Sequence, residues 1–190
     1  MNVGLYFGSF NPIHIGHLII ASYAKHTTPL QQVWLVVSPH NPLKPSSSLL
    51  NEYDRLHLVN LAIQDDISLK ATDVEFRLPR PSYTVNTLAA LQEKYPQHNF
   101  SIIMGSDSFT NLPKWKNHEY IIRHHPVYIF NRPGFVITET LGANLQFIEA
   151  PLLEISSTTI REMIRKGIPI RYLVTEKVDK EIEQNRYYKS

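Results

Sequence analysis

Residues 8–17 read Gly-Ser-Phe-Asn-Pro-Ile-His-Ile-Gly-His. The apolar run from Val3 to Phe7 precedes them and predicts a first β-strand, and Leu18-Ile19-Ile20-Ala21-Ser22-Tyr23-Ala24 follows and predicts a helix. The decapeptide therefore sits at a strand-to-helix turn, where an α/β fold aims free backbone N–H groups and the positive end of a helix dipole at an anion. Gly8 lets the chain leave the strand in a conformation that a Cβ would obstruct, and lets a ligand approach the backbone. Pro12 fixes φ just ahead of the helix. His14 and His17 are three apart and share one face of a first helical turn, with Gly16 leaving room for a flat or bulky group. Two imidazoles there can donate hydrogen bonds to phosphate oxygens, and can do so as cations.

The rest of the chain bounds what such a turn can serve. Its 190 residues suffice for one domain with a full core, and 43% hydrophobic against 19% charged residues fits a soluble globular protein. A net charge of +2, with Lys and Arg scattered, argues against nucleic acid or an acidic membrane as partner. There is no cysteine, which excludes disulfides, thiol catalysis and cysteine metal sites. No apolar run approaches the ~20 residues needed to span a bilayer, and no export signal is visible, so the expectation is a cytoplasmic protein.

Beyond the first helix, Gln32 to Ser38 is a continuous β-branched run, as in strands buried on both faces. Residues 39–48, rich in Pro and Ser, predict a mobile loop with Lys44 as its only cation. Asn51 to Gln64 predicts a helix capped by Asn51, with Leu58, Leu61 and Ala62 on its apolar side and Asp54 and Arg55 on other faces. Ile67 to Phe76 holds a strand or two, Ser82 opens a helix to about Tyr95, and Phe100 to Met104 is a buried strand running into Gly105-Ser106-Asp107. A helix over 117–124 and strands over 127–130 and 145–148 follow, then a helix from Ser156-Ser157-Thr158 to Lys166, stopped by Gly167. Strands alternating with helices predict a Rossmann-like, doubly wound parallel sheet. We expect one domain over 1–190, with 169–190 a small helical C-terminal segment built around Val178 and Ile182.

A second constellation, Ile155-Ser156-Ser157-Thr158-Thr159-Ile160-Arg161, places hydroxyls and free N–H groups at a helix start, with Arg161 on the face of Ser157 one turn later. The first motif resembles the Gly-(Ser/Thr)-Phe-Asp-Pro-x-His-x-Gly-His signature of the nucleotidyltransferase superfamily, and is similar to the nucleotide site of class I aminoacyl-tRNA synthetases. The second resembles the Ile-Ser-Ser-Thr-x-Ile-Arg signature of the same superfamily. Ser82-Tyr83-Thr84-Val85-Asn86-Thr87-Leu88, Gly105-Ser106-Asp107, Trp115 and Arg132-Pro133-Gly134 are similar to the corresponding elements of bacterial nicotinate-nucleotide adenylyltransferases. Two departures stand out. Asn11 replaces the more frequent Asp, and Leu43 precedes Lys44 where many relatives have His.

That resemblance implies the reaction of ATP with nicotinate mononucleotide to give deamido-NAD and pyrophosphate, with Mg²⁺ travelling with ATP and no protein metal site. It implies that His14 and His17 contact the α- and β-phosphates, and that Lys44, Arg161 and the Ser156–Thr158 helix start hold the outer phosphates. Gly8, Ser9, Phe10, Asn11, Gly16, Gly105 and Ile155 complete the ATP site, with Asp107 on a ribose hydroxyl. Tyr83, Thr84, Trp115 and Arg132 take the nicotinate nucleotide. Another adenylyltransferase, with nicotinamide mononucleotide or phosphopantetheine as acceptor, and a non-catalytic nucleotide-sensing module are the competing readings. A homo-oligomer is left open.

Overall fold

Val3 and Leu5 on one side of the first strand and Tyr6 on the other are all buried, because β1 (Asn2–Gly8) runs through the middle of a sheet covered on both faces. In the computed structural model, which describes residues 1–39, 49–151 and 153–189, β1 pairs in parallel with β2 (Gln32–Val37) and with β4 (Asn99–Gly105). β3 (Leu69–Thr72), β5 (Val127–Phe130) and β6 (Leu145–Ile148) complete six parallel strands in the order β3-β2-β1-β4-β5-β6. The order reverses between β1 and β4, so the crevice for a ligand opens beyond the carboxyl ends of these two strands.

Helices cover the two faces. On the Tyr6 face, α1 (Ile15–Thr27), α2 (Glu52–Ile63), α6 (Ser157–Arg165) and α7 (Glu176–Gln184) bury Ala21, Leu58, Ile160 and Val178 against Leu35 and Val37. On the opposite face, α3 (Thr84–Lys94), α4 (Ser106–Thr110) and α5 (His118–His124) bury Leu88, Leu91, Phe109 and Ile121 against Leu5, Trp34 and Ile102. α7 is the helix expected around Val178 and Ile182, both buried, and Lys177 pairs with Asp65 at 2.7 Å beside α2. No helix among the described residues is long and apolar enough to cross a membrane.

Asn51 caps α2 as expected, its side chain accepting from the Tyr53 N–H. The stretch 67–76 makes one strand, and Val74–Arg77 then turns as a 3-10 helix. That turn carries Glu75 inward, where its buried carboxylate accepts the hydroxyls of Ser82 (3.1 Å) and Thr87 (2.8 Å) at the start of α3. Arg55 does not lie on a face apart from Leu58. It is completely buried on the same side of α2 as Leu58 and Val59, three and four residues on.

Candidate active site

Beyond β1 the chain turns sharply, and the residue in left-handed conformation is Phe10 (φ 45°), not a glycine. Gly8 is needed for space: a Cβ there would lie 2.8 Å from the Phe10 ring, which folds back beneath the strand end. That ring stands edge-on to Tyr6 and to His17, with centroids 5.8 and 5.1 Å apart. His14 is the N-cap of α1, not part of its first turn, and its backbone N–H donates to Nδ1 of His17 at 3.3 Å. A neutral His17 that accepts at Nδ1 carries its proton on Nε2. The two imidazoles stack, with centroids 3.7 Å apart and planes 27° apart. The flat group that Gly16 admits is the His14 ring itself, 3.1 Å from where a Cβ would stand.

His14 is 5% exposed, and its Nδ1 has no hydrogen-bond partner among the described residues. Burial, assisted by the positive charge of Arg132, lowers its pKa to about 4. Near neutral pH His14 is therefore an uncharged ring in the free protein, so of the two ways expected for it to meet phosphate, as a neutral donor or as a cation, the neutral one is its resting form.

The second motif is fastened to the first. Ser156 caps α6, accepting the Thr159 N–H at 3.1 Å. Ser157 donates its hydroxyl to the Pro12 carbonyl, and Arg161 donates from Nη1 to the Asn11 carbonyl, each across 2.9 Å. Arg161 also reaches Thr158 Oγ1 at 3.4 Å, and Ile155 sits over Gly16. The Asn11 side-chain oxygen accepts the Leu50 N–H at 3.1 Å, a bond that an Asp would make equally well.

The third part is the end of β4. Gly105 leads into α4, which carries Asp107, and the Asp107 carboxylate lies 4.0 Å from Arg132 Nε. The Arg132 backbone N–H donates to the buried Ser106 hydroxyl at 2.9 Å, which ties this arm to the β5 exit. Two cavities result. The larger, of about 370 Å³, is lined by Gly8 to Asn11, His17, Ser38, Gly105, Asp107, Trp115, Arg132 and Ser157. The smaller, of about 210 Å³, is lined by His14, Gly16, His17, Arg132 and Glu154. They share His17, Arg132 and Phe130.

Tyr83 and Thr84 are not among the residues lining either cavity. Tyr83 is the N-cap of α3, and Lys116, next to Trp115, stands 4.7 Å over its ring. Lys44 lies outside the described residues. Two polar residues behind the site were not singled out from the sequence, Arg55 and Glu75. Arg55 had a signal in its spacing to Leu58 and Val59, whereas Glu75 had none, since its partners are assembled only by the turn that buries it.

Residues 5–163 match the cytidylyltransferase-like family. A protein of Flavobacterium psychrophilum is 52% identical over the full length of both chains, and one of Cytophaga hutchinsonii is 47% identical over 99% of this chain and 98% of its own; both carry the name "probable nicotinate-nucleotide adenylyltransferase". Among solved structures, the Plasmodium falciparum nicotinic acid mononucleotide adenylyltransferase complexed with NaAD superposes with a TM-score of 0.81 at 20% identity, covering 98% of this chain and 97% of its own, which establishes a common fold. Both signature motifs, brought together at the switch point of a six-stranded parallel sheet, agree with these likenesses: the chain belongs to the cytidylyltransferase-like family and, within it, to the nicotinate-nucleotide adenylyltransferases.

Proposed function

We propose that the chain joins ATP and nicotinate mononucleotide, giving deamido-NAD and pyrophosphate. The observation that carries this reading is the meeting of two cavities at His17 and Arg132. Transfer between two nucleotides needs two seats and one shared point for the reacting phosphorus. Trp115 lines the larger cleft and offers a face to the cationic pyridinium ring, so the acceptor takes that side. The adenosine of ATP takes the smaller cavity, and its triphosphate runs past His14 and His17 towards α6. Asp107, which lines the larger cleft, stands beside Arg132 of the junction, within reach of a ribose hydroxyl that needs an acceptor.

A 5′-phosphate oxygen of the mononucleotide attacks the α-phosphorus in line. The bond from that phosphorus to the α,β-bridging oxygen breaks, and pyrophosphate leaves with its electrons. The attacking group is already anionic, so no protein nucleophile is required, and catalysis consists of positioning and charge stabilisation. His17, through Nε2, donates to the oxygen on which charge develops, and Arg132 adds fixed positive charge. Ser157 and Arg161 hold the first motif in register with the α6 N-terminus, whose free N–H groups face the outer phosphates. Among the described residues no group of three or more His, Cys, Asp or Glu could hold a metal. A Mg²⁺ ion accompanying ATP would be held mostly by phosphates and water and would neutralise part of their charge.

Pyrophosphate release from ATP with nicotinate mononucleotide, nicotinamide mononucleotide and phosphopantetheine as separate acceptors tests this. Release should be fastest with the nicotinate nucleotide, and none with any of the three would leave only nucleotide sensing.

A further inference from the structure

We propose that Arg55 is a positioning residue for the phosphate turn: it holds the Ser9–Phe10 peptide so that the Phe10 N–H faces the bound anion. This rests on the reading of the cleft as a phosphate site.

Arg55 spends its charge on neutral main chain. Nε donates to the Leu50 carbonyl (2.8 Å), Nη1 to those of Ser9 (2.6 Å) and Ser38 (2.8 Å), and Nη2 to that of Pro39 (2.9 Å). These carbonyls come from three places: the phosphate turn, the exit of β2 and the approach to α2. Carbonyl oxygens on the lip of an anion site would repel the ligand. A buried, planar, five-donor guanidinium draws all of them to one point and leaves positive charge behind the turn.

The consequence for Ser9 is directional. The cis bonds of the described residues are Asn11–Pro12 and Arg80–Pro81, so Ser9–Phe10 is trans, and its C=O and N–H point in opposite directions. With the Ser9 oxygen held by Arg55, the Phe10 N–H is aimed away from it. Ser9 and Phe10 both line the larger cleft, and the Phe10 N–H has no backbone acceptor among the described residues. The left-handed Phe10 (φ 45°) gives the turn the curvature with which successive N–H groups form an anion-binding hollow. An ammonium on a lysine stem carries the same charge but lacks the fork that collects carbonyls from three segments.

The test is titration of ¹⁵N-labelled protein with inorganic pyrophosphate. In wild type the Phe10 amide should shift with the same midpoint as the amides of His17 and Ser157, and the Arg55 Nε–H resonance should move with it. In Arg55→Lys, checked as folded by a cooperative melt, the Phe10 shift should vanish and pyrophosphate should bind about tenfold more weakly. An Arg55→Lys protein that loses thermal stability yet keeps the Phe10 shift and the affinity would overturn the proposal and make Arg55 merely structural. If that variant does not fold, the wild-type titration still decides: a Phe10 amide or Arg55 Nε–H that stays still while His17 and Ser157 move overturns the inference but leaves the proposed function standing. No movement anywhere overturns both.

Discussion

The hydroxyl of Ser157 donates to the carbonyl of Pro12 across 2.9 Å, joining residues 145 positions apart in the chain. With the neighbouring bond from Arg161 to Asn11, it fixes the start of α6 against the loop that leads into α1. Two helix N-termini, each attractive to anions, are thereby held in one register. Ser157→Ala should cost about 1 kcal/mol of stability, the usual worth of one such bond. It should raise the KM for ATP several-fold with a smaller change in kcat. Steady-state kinetics together with denaturant unfolding check this, and an unchanged KM would mean that the register does not depend on this bond.

His17→Ala should lower kcat by ~10²–10³-fold, the usual loss for one donor to developing charge. ATP binding should weaken far less, because that contact strengthens in the transition state. Turnover at saturating ATP and acceptor is the measurement, and a near-normal kcat would remove the catalytic role from His17.

The buried His14 predicts an acid-sensitive fold. Its pKa is about 4 in the folded protein against 6.5 for an unperturbed imidazole, so the unfolded chain binds more protons between those values. Stability from this group is complete above about pH 6.5 and declines as pH falls towards 4, by on the order of 3 kcal/mol in all. Glu75 acts with the opposite sign, since burial holds its carboxyl above the ordinary range and the folded form gains protons first. Denaturant unfolding of wild type and His14→Gln at pH 7.0, 5.5 and 4.5 separates the two. The difference between the proteins should move in favour of the variant as pH falls, and a pH-independent difference would mean that His14 takes up its proton equally in the folded and unfolded states.

For the acceptor, the ring carboxylate of the nicotinate nucleotide suits the N–H groups and hydroxyl at the start of α3, whereas an amide brings its own donors against them. A preference for the nicotinate over the nicotinamide nucleotide is expected. Trp115→Ala should weaken both, because both rings are cationic, and Thr84→Ala should weaken mainly the nicotinate form. Comparing kcat/KM for both acceptors decides it: an equal Thr84 effect would place the carboxylate elsewhere.

The apolar runs made the strands legible, and β5 and β6 fall on the expected residues: β5 is apolar throughout, and β6 places the single polar Gln146 between Leu145 and Phe147. Both signature motifs were legible as strand-to-helix and helix-start sequences because their residue types follow from local backbone needs. What escaped was polar and buried. Nothing in the local sequence says that Glu75 will collect hydroxyls from a helix that begins several residues later, or that Arg55 will be satisfied by carbonyls from separate segments. Gly8 and Gly16 were recognised as necessary, but the rings that need their space, Phe10 and His14, could be identified only once the turn was folded.

Arg55 touches its four partners only through main-chain oxygens. As far as this clamp is concerned, the side chains at positions 9, 38, 39 and 50 are free to drift, because every amino acid presents the same carbonyl. The guanidinium has no such freedom, since no other side chain offers five donors in one plane. The burden of inheritance is therefore lopsided: one codon in α2 answers for main chain in two connections, and a change there has no single compensating change elsewhere.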